Sequence, residues 1–144
     1  MGSGCIFCKI VAGEIQAPKV WEDDNVVVFL DHGPLFHGHL LICPKTHFDT
    51  LPDVPPELLQ PLFTVAQQVS RAVELGLGAD GSFLAINNKI SQSVPHLHIH
   101  IIPRRRGDGM KGFFWPRHPY RDAEHAEEVR SRLESAMRVI LKGQ

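Results

Sequence analysis

Three histidines alternate with apolar residues in Pro95-His96-Leu97-His98-Ile99-His100-Ile101-Ile102-Pro103. Alternation with period two reads as a β-strand, with His96, His98 and His100 on one face and Leu97, Ile99 and Ile101 on the other. Imidazoles are costly to bury for packing alone, because each ring nitrogen needs a partner. Three on one face therefore point to a metal site or to catalysis, and away from an edge strand that merely carries histidines. The chain holds nine histidines in all, and His32, His37, His39 and His47 form a second zone of them. Cys5 and Cys8 add a CxxC, a spacing that serves either as a redox pair or as half of a metal site.

Two chemistries fit these residues. In the first, the CxxC supplies two ligands to a tetrahedral zinc, with His47 and His96 among the candidates to complete a Cys2His2 set. Such a closed site is structural and would pin the N-terminus to the sheet. A redox role for the thiol pair would instead place Cys8 near a helix N-terminus. A single ion held by His96, His98 and His100 together is disfavoured, because alternate residues of a strand stand about 6.6 Å apart. In the second chemistry, a neutral imidazole attacks phosphorus, its other nitrogen held in the required tautomer. Gln92, Ser93 and His100 lie where an anion cradle for phosphoryl oxygens could be built.

Bulk properties bound the rest. A chain of 144 residues, 43% hydrophobic and 8% aromatic, is expected to form one domain with a real core. A formal net charge of -1 gives no electrostatic reason for nonspecific nucleic-acid binding. No apolar run approaches the roughly 18 residues of a membrane span, and no signal-peptide pattern is present, so the cytoplasm is the expected location. With three cysteines a complete set of disulfides is impossible, and Cys43 within Leu40-Leu41-Ile42-Cys43 reads as a small buried hydrophobe.

The elements that must position these residues are short at first. Phe7 to Val11 reads as one short helical turn or an irregular segment, closed by Gly13, and strands are expected at Lys19–Glu22, Val26–Leu30 and Gly38–Cys43, arranged as an antiparallel meander. Leu58, Leu59, Leu62, Val65, Ala66, Val69 and Val73 predict a long helix over residues 56 to 75, with Pro61 in its opening turns and Gly76 and Gly78 at its end. Ser82–Ile86 is a further strand, ahead of the histidine strand. A last helix from about Asp122 to Leu141 carries the stripe Ala126, Val129, Leu133, Ala136, Met137 and Ile140. The outline is an α+β fold, with one antiparallel sheet of about five strands and helices packed on it.

The histidine run, His96-Leu97-His98-Ile99-His100-Ile101-Ile102, resembles the motif of the histidine triad (HIT) family. So do the opening Cys5-Ile6-Phe7-Cys8-Lys9-Ile10-Val11-Ala12-Gly13-Glu14-Ile15, similar to bacterial members, and the block Gly38-His39-Leu40-Leu41-Ile42-Cys43-Pro44-Lys45-Thr46-His47. Gln92-Ser93-Val94 precedes the run as it does in the family. The resemblance spans residues 5–108. It implies one HIT-like domain over 1–144, with 109–144 as an extension holding the aromatic cluster Phe113, Phe114 and Trp115 and the last helix.

The family cleaves or transfers at the α-phosphate of nucleotides, of adenosine or guanosine type. The resemblance implies that His98 is the nucleophile of a nucleotidyl-histidine intermediate and that His100 contacts the phosphate or leaving group. Gln92 and Ser93 would hold phosphate oxygens, His39 would support the site, and Asp31 would meet the ribose. Cys5, Cys8, His47 and His96 would hold a structural zinc, with no catalytic metal. A homodimer is implied as well. Features of both nucleoside phosphoramidases and dinucleoside polyphosphate hydrolases are present, so the leaving group stays open. Phosphorolysis, a nucleotide-binding protein with vestigial catalysis, and a metal-dependent hydrolase remain alternatives. One departure is notable: the family commonly has glycine before the Gln-Ser pair, where this chain has Ser91. The basic run Arg104–Arg106 is read as a solvated loop or a grip on polyphosphate.

Overall fold

A computed structural model describes residues 4–111 and 116–143. They fall into two compact units, Met1–Asp108 and Gly109–Gln144. The aromatic cluster Phe113-Phe114-Trp115 lies outside the described residues. No helix is long and apolar enough to cross a membrane among the described residues.

The first unit is built on an antiparallel five-stranded sheet: β1 (Lys19–Glu22), β2 (Val26–Leu30), β3 (Leu40–Pro44), β4 (Gly81–Ala85) and β5 (Ile99–Arg104). Its order is β1-β2-β3-β5-β4. The first three strands form the expected meander, but β4 does not continue it. After β3 the long helix α2 (Pro56–Leu77) carries the chain past the next sheet position, and β5 fills the gap between β3 and β4. The histidine strand is therefore internal, with Leu41 and Ala85 flanking His100 on its two neighbours. Ladder pairing starts at Ile99, so His96 and His98 precede the strand proper, and it runs through Pro103 to Arg104. Proline is tolerated there because β3 begins at Leu40, opposite Ile101, and leaves that stretch of β5 unpaired on one side.

Alternation along the strands sorts side chains into two layers. Val26, Val28, Leu40, Ile42, Leu97, Ile99 and Ile101 face Leu62, Val65, Ala66, Val69 and Val73 of α2. Val27, Phe29, Leu41 and Cys43 face Cys5, Phe7 and Ile10 of the short helix α1 (Ile6–Val11). The histidines belong to this second side. α1 is held at both ends: Cys5 caps it, its Sγ accepting from the Cys8 N–H at 3.4 Å. Beyond its other end, Gly13 at φ 79° lets its own N–H reach the Ile10 carbonyl and the Glu14 N–H reach that of Lys9.

α2 continues past Pro61 and Gly76 and stops at Gly78, which adopts φ 66°. The Arg105 guanidinium closes this end, donating to the carbonyls of Leu77 at 2.7 Å and Gly78 at 2.8 Å. Arg104 makes a two-pronged pair with Asp108, at 2.7 and 3.1 Å. Arg104 and Arg105 of the basic run are thus built into the fold.

The sheet's two edges differ. β1 is exposed along its length, has an irregular register between Lys19 and Trp21, and carries the ion pairs Lys19–Glu22 and Lys45–Glu22. β4, Gly-Ser-Phe-Leu-Ala, is regular and uncharged, with Leu84 exposed.

The second unit contains α3 (Ala123–Lys142), capped by Asp122, whose carboxylate accepts from the His125 N–H at 2.7 Å. Its apolar stripe is not buried: Leu133, Met137 and Ile140 are 63%, 51% and 57% exposed.

Candidate functional site

The three histidines of the run serve two places. His96 turns toward the CxxC, while His98 and His100 stand together with ring centroids 4.9 Å apart.

In the first place, Cys5 Sγ lies 3.4 Å from His96 Nδ1, Cys8 Sγ lies 3.3 Å from His47 Nδ1, and Cys8 Sγ lies 3.6 Å from His96 Nδ1. All four donor atoms fall within 4.8 Å of one another. A tetrahedral zinc with bonds of about 2.3 Å to sulfur and about 2.0 Å to nitrogen separates its sulfur and nitrogen ligands by about 3.5 Å, so the donor set fits the ion. The outer nitrogens are also placed for it. His96 Nε2 donates to the Pro44 carbonyl at 2.8 Å, and His47 Nε2 to the Asp49 carboxylate at 2.8 Å, leaving both Nδ1 lone pairs facing the sulfurs. Burial pushes the Cys8 thiol up to about 11, helped by its hydrogen bond to Cys5 and the charge of that residue. Burial also lowers His96, keeping its ring neutral.

The second place is a cavity of about 270 Å3. Ile6, Phe7 and Ile10 of α1, Ile15, Pro18, Phe29 and Leu41 give it apolar walls, and Asp31, His32, Ser93, His98 and His100 supply polar groups. An apolar slot with a few convergent polar groups is suited to a flat ring with a polar substituent. Tautomers here are set by the backbone. His98 Nδ1 donates to the His96 carbonyl at 2.7 Å, which leaves Nε2 with its lone pair. His39 Nδ1 accepts from the Leu35 N–H at 3.1 Å, so its proton sits on Nε2 and is donated to His100 Nδ1 at 2.9 Å. His100 in turn carries its proton on Nε2. A nucleophilic nitrogen and a neighbouring N–H donor result.

Burial, with the charges of His98 and His39, brings His100 down to about 4, and burial lowers His39 despite Asp31. Asp31, His39 and His100 do bring donor atoms close together. A metal there would nevertheless need a lone pair on His39 Nε2 while the Leu35 N–H claims the other nitrogen, so this trio is poorly suited to a cation.

Of the remaining expected site residues, Asp31 is part-buried, its Oδ1 accepting from the Gly33 N–H at 2.8 Å and its Oδ2 lying 3.6 Å from His39 Nε2. Ser93 lines the cavity. Gln92 is occupied elsewhere: its Oε1 accepts from the Lys89 N–H at 2.8 Å and its amide N–H donates to the Asp49 carbonyl. Ser91 sits at φ 58°, the conformation in which glycine is unstrained. The sequence did not single out the α1 wall, the Leu35 N–H or the His96 carbonyl. The first is assembled with pieces from several segments and the other two are main-chain groups, so no residue pattern marks them.

The sequence profile described as HIT domain matches residues 12–107. The chain belongs to the HIT family. An uncharacterised HIT-like protein of Mycobacterium tuberculosis is 39% identical over 124 residues, covering 83% of this chain and 86% of that protein. The adenosine 5'-monophosphoramidase HNT1 of Saccharomyces cerevisiae is 38% identical over 119 residues, covering 81% of this chain and 72% of that protein. Among solved structures, a zinc-bound histidine triad family protein from Mycobacterium smegmatis is 38% identical with a TM-score of 0.71, over 92% of this HIT chain and 97% of that one.

Proposed function

We propose that this HIT protein is a nucleotide hydrolase or nucleotidyl transferase acting at the α-phosphate through a covalent nucleotidyl-His98 intermediate. The observation that carries the reading is the tautomer chain: the His96 carbonyl takes the Nδ1 proton of His98, so the lone pair of the neutral ring is on Nε2 and is available for attack in the cavity His98 lines. The base of an adenosine- or guanosine-type nucleotide fills the apolar slot and its ribose hydroxyls meet Asp31. His98 Nε2 attacks the α-phosphorus, the bond to the leaving group breaks, and that group departs with a proton from solvent. His100 Nε2–H and Ser93 donate to the phosphoryl oxygens as charge develops, with His39 fixing His100. Gln92 reaches those oxygens once its amide leaves the Asp49 carbonyl. Water then displaces His98 from phosphorus, releasing nucleoside monophosphate.

Cys5, Cys8, His47 and His96 hold a zinc ion in this reading. It supplies cross-linking of α1 to the sheet and no step of the reaction. The zinc-bound relative and the spacing of the four donor atoms support this. The yeast relative's activity supports an adenylyl substrate. A cytoplasmic homodimer completes the proposal.

The test is intact mass after brief incubation with adenosine phosphoramidate or with a diadenosine polyphosphate, on wild type and His98→Ala. An adenylyl adduct on wild type, absent from the variant, is expected, and the substrate that gives it identifies the leaving group. Bound nucleotide with no adduct and no released monophosphate from either substrate would make this a binding protein. Turnover that requires added phosphate would make it a phosphorylase.

A further inference from the structure

The cysteine–histidine cluster and the histidine cavity share parts. Helix α1 bears Cys5 and Cys8, and between and beside them Ile6, Phe7 and Ile10 form one wall of the cavity. Six residues are too few to hold a helix in water unaided, so the placement of this wall depends on what anchors it. His96 joins the two places a second time: its ring faces the cysteines and its main-chain oxygen takes the His98 Nδ1 proton. Phe7, 6% exposed, stands edge-on to both rings, its centroid 5.8 Å from that of His96 and 5.0 Å from that of His98.

We infer that metal loading of the Cys5/Cys8/His47/His96 cluster is positively coupled to nucleotide binding in the His98 cavity, with Phe7 and the His96 main chain as the positioning groups. The inference rests on the nucleotide reading given above. An ion that fixes both sulfurs fixes the first turn of α1, which carries Ile6 and Phe7 of the wall. By fixing the His96 ring it also fixes the carbonyl that selects the His98 tautomer. The nucleotide therefore meets a fixed wall in the loaded chain and must itself hold the first turn of α1 in place in the stripped one. Linkage makes the effect reciprocal, so nucleotide tightens metal by the same factor.

Calorimetric titration of adenosine monophosphate into the zinc-loaded and chelator-stripped full chain reads the coupling directly. About a tenfold weaker Kd is expected after stripping, and about a tenfold tighter zinc affinity in saturating monophosphate, within the usual range of such couplings. Nitrogen-15 NMR of the His98 ring is expected to show the proton on Nδ1 in the loaded protein and a mixture of tautomers in the stripped one. Phe7→Leu is expected to keep its zinc and to lose most of the reciprocal tightening. If stripping unfolds the chain, the rate at which a chelator extracts zinc from the folded protein is measured instead, and monophosphate should slow it about tenfold. Equal monophosphate affinity in both forms, or equal extraction rates with and without it, overturns the coupling and leaves the nucleotide reading intact. No monophosphate binding in either form, with a His98 spectrum that still responds to zinc, overturns the nucleotide reading and upholds the positioning. No binding and no spectral response overturns both.

Discussion

Replacing His39 by phenylalanine keeps a ring in a site only 4% exposed and removes two hydrogen bonds at once. The Leu35 N–H loses its acceptor at 3.1 Å, and His100 Nδ1 loses its donor at 2.9 Å. An orphaned buried polar group costs about 1–3 kcal/mol. Leu35 is 61% exposed and His100 only part-buried, so both groups recover some hydration and the pair should cost about 1–3 kcal/mol of stability. The larger consequence is chemical. Without His39 nothing obliges His100 to carry its proton on Nε2, and a fraction of molecules present a lone pair where a donor is needed. Complete loss of one donor to developing charge costs about 100–1,000-fold in kcat, so partial loss should cost about 10–100-fold. Urea unfolding gives the first number and steady-state hydrolysis of adenosine phosphoramidate the second. His39→Gln, whose amide can donate, should fall between wild type and phenylalanine in both. An unchanged kcat beside a stability loss of the expected size would refute the tautomer argument and leave His39 a packing residue.

Gly38→Ala should destabilise the fold by about 2–4 kcal/mol in the same unfolding assay, because Gly38 has φ 95° and a methyl there meets Leu77 and, at 3.2 Å, the Pro103 ring. Ser91→Gly should instead stabilise by about 0.5 kcal/mol, relief of the left-handed backbone outweighing the added freedom of the unfolded chain. For His100 the folded state resists protonation down to about 4, whereas the unfolded chain takes a proton near 6.5, so the unfolded state binds more protons between these values. The associated stability is full above pH 6.5 and is lost as pH falls toward 4. With the ring partly solvated it amounts to about 1–2 kcal/mol, and His100→Gln should flatten that part of the unfolding free energy's pH profile.

How much of this is visible in the sequence depends on whether a feature is local. The stripe Leu62, Val65, Ala66, Val69, Val73 announced α2 because helical spacing and burial on one side are the same fact. The stripe Ala126, Val129, Leu133, Ala136, Met137 and Ile140 likewise announced α3, whose cap by Asp122 the structure adds. Strand order was not visible: β5 enters between β3 and β4 only because a 22-residue helix can carry the chain over a sheet position, and nothing in either strand encodes its neighbours. Alternation in the histidine run correctly separated Leu97, Ile99 and Ile101 from the imidazoles. It could not decide which of the three would turn to the cysteines: the CxxC chemistry made His96 one candidate partner, and the full division between His96 and the His98–His100 pair came from family resemblance. Gln92 was read only as a phosphate ligand, and Arg105 only as part of a solvated loop or a polyphosphate grip, because what occupies them, the Asp49, Leu77 and Gly78 carbonyls, are main-chain groups distant in sequence. The apolar stripe of α3 reads as a burial signal, yet it stays exposed.

The unequal edges of the sheet set a valence. An unpaired strand is a template for another strand, and a sheet with two such edges can add copies without limit, as fibrils do. Here β1 is broken in register and bristles with Lys19, Glu22 and the neighbouring Lys45, while β4 is regular in register and uncharged. Among the described residues β4 is the edge without charge to repel a second strand, so pairing of two copies through it would consume that strand in each and would end at a pair. In such a pair the charges on β1 would act as a stop codon for assembly, and neutralising Lys19, Glu22 and Lys45 together is expected to let the pair propagate.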